Sequence, residues 1–314
     1  MGRKRNFGRS ISGVLVLNKP EGMTSNQALQ RAKRLFFANK AGHTGSLDPF
    51  ATGVLPLCFG EATKFSQYLL DADKRYLATV CLGVETSTGD LEGDILRKIN
   101  AGHLTEALIE KSLHPFRGDI LQVPPMVSAL KVNGQPLYKL ARKGEVIERA
   151  ARPVTIYDIS IIDIRIGDIT EVDLDISCSK GTYIRSIAVD LGNVLNVGGH
   201  VSRLHRVASG AFKEEQAVSL ATLEMERGEL APEVLDHYLL PPDASVENLP
   251  RLILNSISGH YFCQGQAVMD LQVYRLGRQG DTVRVCRDDG VFLGLGEIMD
   301  DGQIAPRRVV VLNS

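Results

Sequence analysis

The segment EVDLDISC, residues 171–178, alternates polar and apolar residues along its whole length. Such alternation is typical of a β-strand with one face in the core and the other in water. A second apolar run, residues 154–166, precedes it, and Gly167-Asp168 supplies a turn between the two. We therefore predict an antiparallel pair of strands, which excludes a doubly wound parallel nucleotide-binding fold.

The chain has 314 residues, more than the usual size of one hydrophobic core, and 44% of them are hydrophobic. Two domains are therefore expected. Residues 1–10 are polar and basic and are predicted to form a mobile arm, and residues 11–240 form the larger domain. The stretch 241–245 contains two prolines and is typical of a linker, and the glycine-punctuated short apolar runs of residues 249–314 predict a small β-domain.

The formal net charge is -1, but the charges are segregated along the chain. Residues 131–152 carry six lysines and arginines against two glutamates, and residues 214–247 carry nine acids against Arg227. Because the binding of a polyanion depends on local charge rather than on the total, the basic segment suits a nucleic acid.

Several classes of site are not supported by the sequence. The five cysteines are odd in number and widely spaced, which predicts reduced thiols, and no histidine or cysteine pair has metal-ligand spacing. Asp90, Glu92 and Asp94 do not complete the spacing of a calcium loop, so we predict that they are solvated. The early apolar run 14–17 is too short for a signal or a membrane span, which favours a soluble, cytoplasmic protein.

The segment GHTGSLDPFATGVLP, residues 42–56, contains three glycines and two prolines. This composition rules out a regular helix and predicts a tight loop that holds His43 and Asp48 in fixed directions. Pro49 disfavours a helical backbone at Asp48, so its carboxylate should project from the loop. The alternative is an Asx-turn in which Asp48 only accepts hydrogen bonds from neighbouring amides.

This loop resembles, nearly residue for residue, the catalytic motif of the bacterial tRNA pseudouridine-55 synthases, the TruB family. Further blocks follow the family's order: NKPEGMTS at 18–25, PPMVSALK at 124–131, with Val127 where a tyrosine is usual, and GTYIR at 181–185. The resemblance implies an α+β fold in which helices flank a mixed, mostly antiparallel sheet. It also implies a catalytic domain over residues 11–240 and a PUA-like RNA-binding barrel over residues 249–314.

The resemblance also implies the roles of individual residues. Asp48 would be the nucleophile, Arg185 its ionic partner and Tyr76 the surface on which the target base stacks. Tyr183 and Leu204 would line the pocket, and His43 would help to hold the opened RNA. The remaining candidates for substrate contact are Lys19, Lys64 and Lys131. For each the ordinary alternative stays open: a strand tyrosine, a surface arginine, a core leucine or a hydrogen-bonded loop histidine.

The reaction implied is the isomerisation of the T-loop uridine at position 55 of tRNA to pseudouridine, without metal or organic cofactor. A uridine in folded RNA has to be flipped out to reach an active site. The expected partner is the T-arm stem-loop, and we expect a monomer with no membrane partner. Two other classes remain open: a non-catalytic RNA-binding or tRNA-folding protein, and a nucleoside glycosylase that uses Asp48 as nucleophile.

Overall fold

The computed structural model describes residues 7–128, 130–132, 134–141, 143–145 and 147–311. The first six residues of the predicted arm and the side chain of Lys131 lie outside this description. So does Asn133, which with Gly134 forms a sequence typical of a hairpin turn. In the described ranges no helix has the length and apolar character needed to cross a bilayer.

The strands, in chain order, are β1 Gly13–Lys19, β2 Ala41–His43, β3 Thr52–Phe59, β4 Lys74–Leu82, β5 Val84–Thr86, β6 Ile95–Lys98, β7 Gly118–Gln122, β8 Lys131–Val132, β9 Gln135–Pro136, β10 Arg152–Arg165, β11 Thr170–Cys178, β12 Gly199–Ser209, β13 Phe212–Lys213, β14 Val218–Ser219, β15 Arg251–Leu254, β16 Val268–Met269, β17 Thr282–Arg287, β18 Phe292–Ile298 and β19 Gln303–Val309. The α-helices are α1 Ser25–Leu35, α2 Ser66–Leu70, α3 Glu106–Leu113, α4 Leu137–Ala141, α5 Ile184–Val194, α6 Leu220–Arg227 and α7 Ser256–Cys263.

A large mixed sheet forms the body of the protein, with strand order β14-β1-β3-β12-β4-β11-β10-β7 and with β2 and β13 paired to β3 and β12. The predicted β10–β11 pair is confirmed as antiparallel, with Ile159 opposite Ile176. Only β1–β14 and β3–β12 pair in parallel among the described strands of this sheet, so the predicted mixed, mostly antiparallel α+β architecture is confirmed.

Helices α1 and α5 pack on the sheet through apolar stripes that include Leu29 and Ala32 of α1 and Ile187 and Leu191 of α5. A serine before an apolar stripe, such as Ser25, is a plausible N-cap, but in the structure Thr24 caps α1 in a capping box with Gln27. The hydroxyl of Ser25 is buried and forms hydrogen bonds with the backbone of Leu47 instead.

Two further local predictions from the sequence are wrong. The pattern of residues 127–132 predicts a strand, but residues 126–128 bend and only Lys131–Val132 pair with β9. The backbone of Val127 instead faces an arginine of α5, after two prolines that cannot donate to a sheet. The amphipathic pattern of residues 61–70 predicts a helix, but the structure has a 3-10 turn, Gly60–Phe65, followed by the five residues of α2.

The C-terminal strands form a separate five-stranded sheet of order β15-β17-β18-β19-β16, which confirms the predicted small β-rich unit. Its own core includes Leu252, Phe262 and Val285. A second apolar cluster joins it to the main body, where the rings of Phe65 and Phe292 lie 5.2 Å apart beside Val246. Burial of these side chains fastens the two units to each other.

Candidate active site

The loop after β2 is held from below by the residues that precede α1. The Ser25 hydroxyl donates to Leu47 O at 3.1 Å and accepts from Leu47 N at 2.8 Å. The amide of Gly22 donates to Pro49 O at 2.9 Å. These bonds fix the backbone on both sides of Asp48. The segment 18–25 therefore packs beneath the loop.

Lys19 lies in this support and not on the pocket wall. Its side chain is fully buried, and its ammonium donates to the carbonyls of Pro20, Met23 and Pro49 at 2.8, 2.5 and 3.1 Å. Burial lowers the pKa of Lys19 to about 8, against the attraction of Asp48. With its three donors on backbone oxygens, Lys19 braces the loop, and this position gives it no contact surface for substrate.

Asp48 and Arg185 form a two-point ion pair. Arg185, in the first turn of α5, places Nε 2.8 Å from Asp48 Oδ2 and Nη2 3.1 Å from Asp48 Oδ1. The arginine side chain is 3% exposed, whereas that of Asp48 is 34% exposed and opens to the pocket. Burial raises the pKa of Asp48 above its usual range, and Arg185 opposes the rise. The pair orients the carboxylate of Asp48 toward a cavity.

Asp90 is buried beside Arg185, in contrast to the prediction from the sequence. We predicted a solvated loop, but Asp90 is 3% exposed and its Oδ2 lies 3.2 Å from Arg185 Nη1. The amide of Glu92 and the hydroxyl of Thr88 donate to its other oxygen at 3.1 and 2.5 Å. Arg185 thus bridges two carboxylates. Its Nη2 also donates to Val127 O at 2.7 Å, so the main chain supplies this contact whatever the side chain at 127.

A cavity of about 400 Å³ opens above Asp48. Tyr76 and Leu204, on the neighbouring strands β4 and β12, and Tyr183, just before α5, all line it. Tyr76 is 8% exposed, and burial raises the pKa of its hydroxyl. The structure therefore brings these three predicted residues together with Asp48 and Arg185. A cavity of this size accommodates a single flipped base.

Three residues with basic side chains also line the cavity, namely His43, Lys74 and Arg206. Of these, only His43 is a candidate site residue from the sequence. Burial lowers the pKa of His43, and the buried Nδ1 of its ring meets no hydrogen-bond partner in the described chain. The Lys74 ammonium donates to the carbonyls of Leu69, Leu70 and Ala72, and burial lowers its pKa to about 8. Lys74 and Arg206 sit in β-strands whose local pattern gives no sign of a site.

Lys64 lies away from the cavity, at the junction of the two sheets. Its ammonium bonds Glu61 Oε2 at 2.6 Å and Val309 O at 2.8 Å, and it borders a separate groove. The prediction for Lys131 falls on a side chain outside the described part of the protein. Across the described ranges no group of three or more His, Cys, Asp or Glu side chains could hold a metal ion.

Comparison with known proteins identifies similar sequences and similar solved structures. Residues 33–184 match the family described as TruB family pseudouridylate synthase, N-terminal domain, residues 185–247 the tRNA pseudouridylate synthase B C-terminal domain, and residues 250–310 the C-terminal part of pseudouridine synthase II TruB. The chain is 56% identical to tRNA pseudouridine synthase B of Saccharophagus degradans over 310 residues and 52% identical to that of Pseudomonas aeruginosa over 312 residues, with 99% of each chain covered in both cases.

Among solved structures, a chain in the crystal structure of a Cbf5–Nop10–Gar1 complex is similar, with a TM-score of 0.68 and 27% identity. The match covers 96% of the present chain and 84% of the other. The similarity therefore extends over both sheets rather than over an isolated motif.

Proposed function

Because this chain belongs to the TruB family of tRNA pseudouridine synthases, we propose that it converts the T-loop uridine at position 55 of tRNA to pseudouridine, with Asp48 as the nucleophile. The single observation that carries the assignment of residues is the two-point contact of Arg185 with Asp48 at the base of the cavity lined by Tyr76.

The geometry supports separate roles for Tyr76 and Asp48 around a flipped uridine. A base stacked on the Tyr76 ring would lie over the exposed edge of the Asp48 carboxylate, since both line the same cavity. The isomerisation conserves every atom: the C1′–N1 bond breaks, a C1′–C5 bond forms, one hydrogen leaves C5 and N1 gains one. A single positioned carboxylate is sufficient for a nucleophile at the sugar, whereas hydrolysis of a glycosidic bond ordinarily uses two.

RNA binding is the second part of the proposal. The T-arm would lie over the cavity mouth, and the C-terminal sheet would add phosphate contacts outside it. Three of its seven arginines pair with carboxylates: Arg284 with Asp243, Arg287 with Asp289 and Arg307 with Glu297. Arginine side chains without a carboxylate in the described ranges are the better candidates for phosphate contact, namely Arg251, Arg275, Arg278 and Arg308.

The test is incubation with an unmodified tRNA transcript followed by mapping of pseudouridine at single-nucleotide resolution. We expect product at the T-loop uridine, and none in a matched transcript with cytidine at that position. No product in the T-loop would overturn the proposal. Free uracil in place of pseudouridine would identify a glycosylase, and tight binding without either product would identify a non-catalytic RNA-binding protein.

A further inference from the structure

We propose that Arg206 is a positioning residue, which holds Asp48 in its reactive position by linking the two ends of the catalytic loop. These ends are Gly45 and Val54, which flank the part of the loop that contains Asp48, and together we call them the neck. The inference rests on the proposed function, because its test measures pseudouridine formation.

The guanidinium of Arg206 spans the neck. Its Nε donates to Val54 O at 2.7 Å and its Nη2 to Gly45 O at 3.1 Å. One planar group therefore ties the beginning of the loop to its end. The side chain is only 1% exposed, so these two bonds are largely shielded from solvent.

The backbone of Arg206 is equally fixed. Gly53 pairs with it where β3 and β12 run in parallel, and Gly53 has a φ of +102°. A Cβ at Gly53 would lie 2.3 Å from Arg206 O, so only glycine permits this approach. Next to this contact, Thr52 Oγ1 and His205 Nδ1 are 2.7 Å apart. The guanidinium thus reaches the neck from a rigid base.

The charge of Arg206 argues for a role in the site rather than in stability. No carboxylate of the described residues lies within ion-pair distance of it. A buried cation without a counter-ion costs free energy, and an apolar side chain of similar volume would be less costly. The same charge reaches the pocket, since it adds to burial in lowering the pKa of His43 and of Lys74.

The experiment compares Arg206→Lys and Arg206→Gln with Arg203→Lys, a matched control at an exposed position of the same strand. Lysine keeps the charge and glutamine keeps two N–H donors, but neither reproduces the two directed bonds. Single-turnover formation of pseudouridine in a T-arm stem-loop is followed with each protein in saturating excess, and the dissociation constant and melting temperature are measured in parallel.

We expect the rate constant to fall by about 10- to 100-fold in both Arg206 variants, because misplacement of a reacting group by about 1 Å has an effect of that order. The end point of the reaction and the dissociation constant should stay within threefold of the unsubstituted protein, and Arg203→Lys should match that protein. An unchanged rate constant would overturn the inference. So would a loss confined to the end point or the melting temperature, which indicates a role in folding alone. An inactive unsubstituted protein would instead refute the proposed function.

Discussion

The two buried guanidinium groups beside the pocket have different kinds of partner. Arg185 contacts the carboxylates of Asp48 and Asp90, whereas the hydrogen bonds of Arg206 go to the carbonyls of Gly45 and Val54. Charges at close range interact strongly away from water, so Arg185 favours the ionised form of Asp48 against the effect of burial. Arg206 controls where the loop lies. Arg185 therefore acts on the charge of Asp48, whereas Arg206 acts on its position. Substitutions of the two arginines should have correspondingly different effects.

Asp48→Asn should have the largest effect, because it removes the anion and keeps the shape of the side chain. We expect the single-turnover rate constant to fall by at least about 10³-fold, the order associated with loss of a directly reacting group. The dissociation constant for tRNA should stay within threefold, as measured by filter binding. Turnover close to normal in a folded Asp48→Asn protein would exclude Asp48 as the nucleophile.

Arg185→Lys should come next. Burial already raises the pKa of Asp48, and the guanidinium is the main group that opposes the rise. Replacing its fork by a point charge should therefore raise that pKa further, so that activity, which requires the carboxylate, is lost at a higher pH as the solution is acidified. We expect about a 10²-fold lower rate at neutral pH and an acid limb displaced to higher pH. An acid limb in its original place would show that Arg185 does not set the charge of Asp48.

Asp90→Asn should lower the rate less than Arg185→Lys does, and it should shift the pH–rate profile in the opposite direction. The negative charge of Asp90 adds to the rise in the pKa of Asp48, so its removal should move the acid limb of the pH–rate profile to lower pH. The rate at neutral pH should still fall by about 10-fold, because Arg185 loses a charge-assisted partner that orients it. Asp94→Asn is the control, since it changes an acid of the same loop that does not contact Arg185. Equal pH–rate profiles of the two variants would show that Asp90 does not act on the site through Arg185.

Arg284→Ala should leave the chemistry unchanged. Arg284 pairs with Asp243 at 3.1 Å across the junction of the two sheets, and both side chains are less than one-fifth exposed. Leaving Asp243 without its partner should lower the free energy of unfolding by about 1–3 kcal/mol. The exposed Arg307→Ala is the control, with an expected loss of at most about 1 kcal/mol. Urea titration measures both. A rate on the T-arm stem-loop that changes more than threefold would show that the junction acts on the pocket.

The sequence was most informative where a local pattern repeats. Alternation in residues 171–178 fixes a strand with one buried face, and the structure has that face in the core. The glycines and prolines of the segment 42–56 likewise indicate the irregular loop that carries Asp48. The pairing of Asp48 with Arg185, 137 positions apart, came from the resemblance and not from any local pattern.

The contacts that the sequence did not reveal are long-range. Asp90 stands in a polar loop, where an acid is ordinarily solvated, and only the packing of that loop against α5 buries it. Arg206 occupies an ordinary position in a strand, and its two partners precede it by 161 and 152 residues. Lys19 is a candidate for substrate contact from the sequence, but its carbonyl partners are set by how the chain folds over it.

The apolar cluster that joins the two sheets has a consequence for synthesis of the protein on the ribosome. Phe65 is fully buried beside Phe292 and Val310, which are translated more than two hundred residues later. The strand β1 likewise borders β14, two hundred residues downstream. The amino-terminal unit therefore cannot reach its final burial before these distant residues are synthesised. Until the C-terminal sheet has been translated, the nascent protein presents an apolar surface around Phe65 that chaperones can bind and that this sheet later covers.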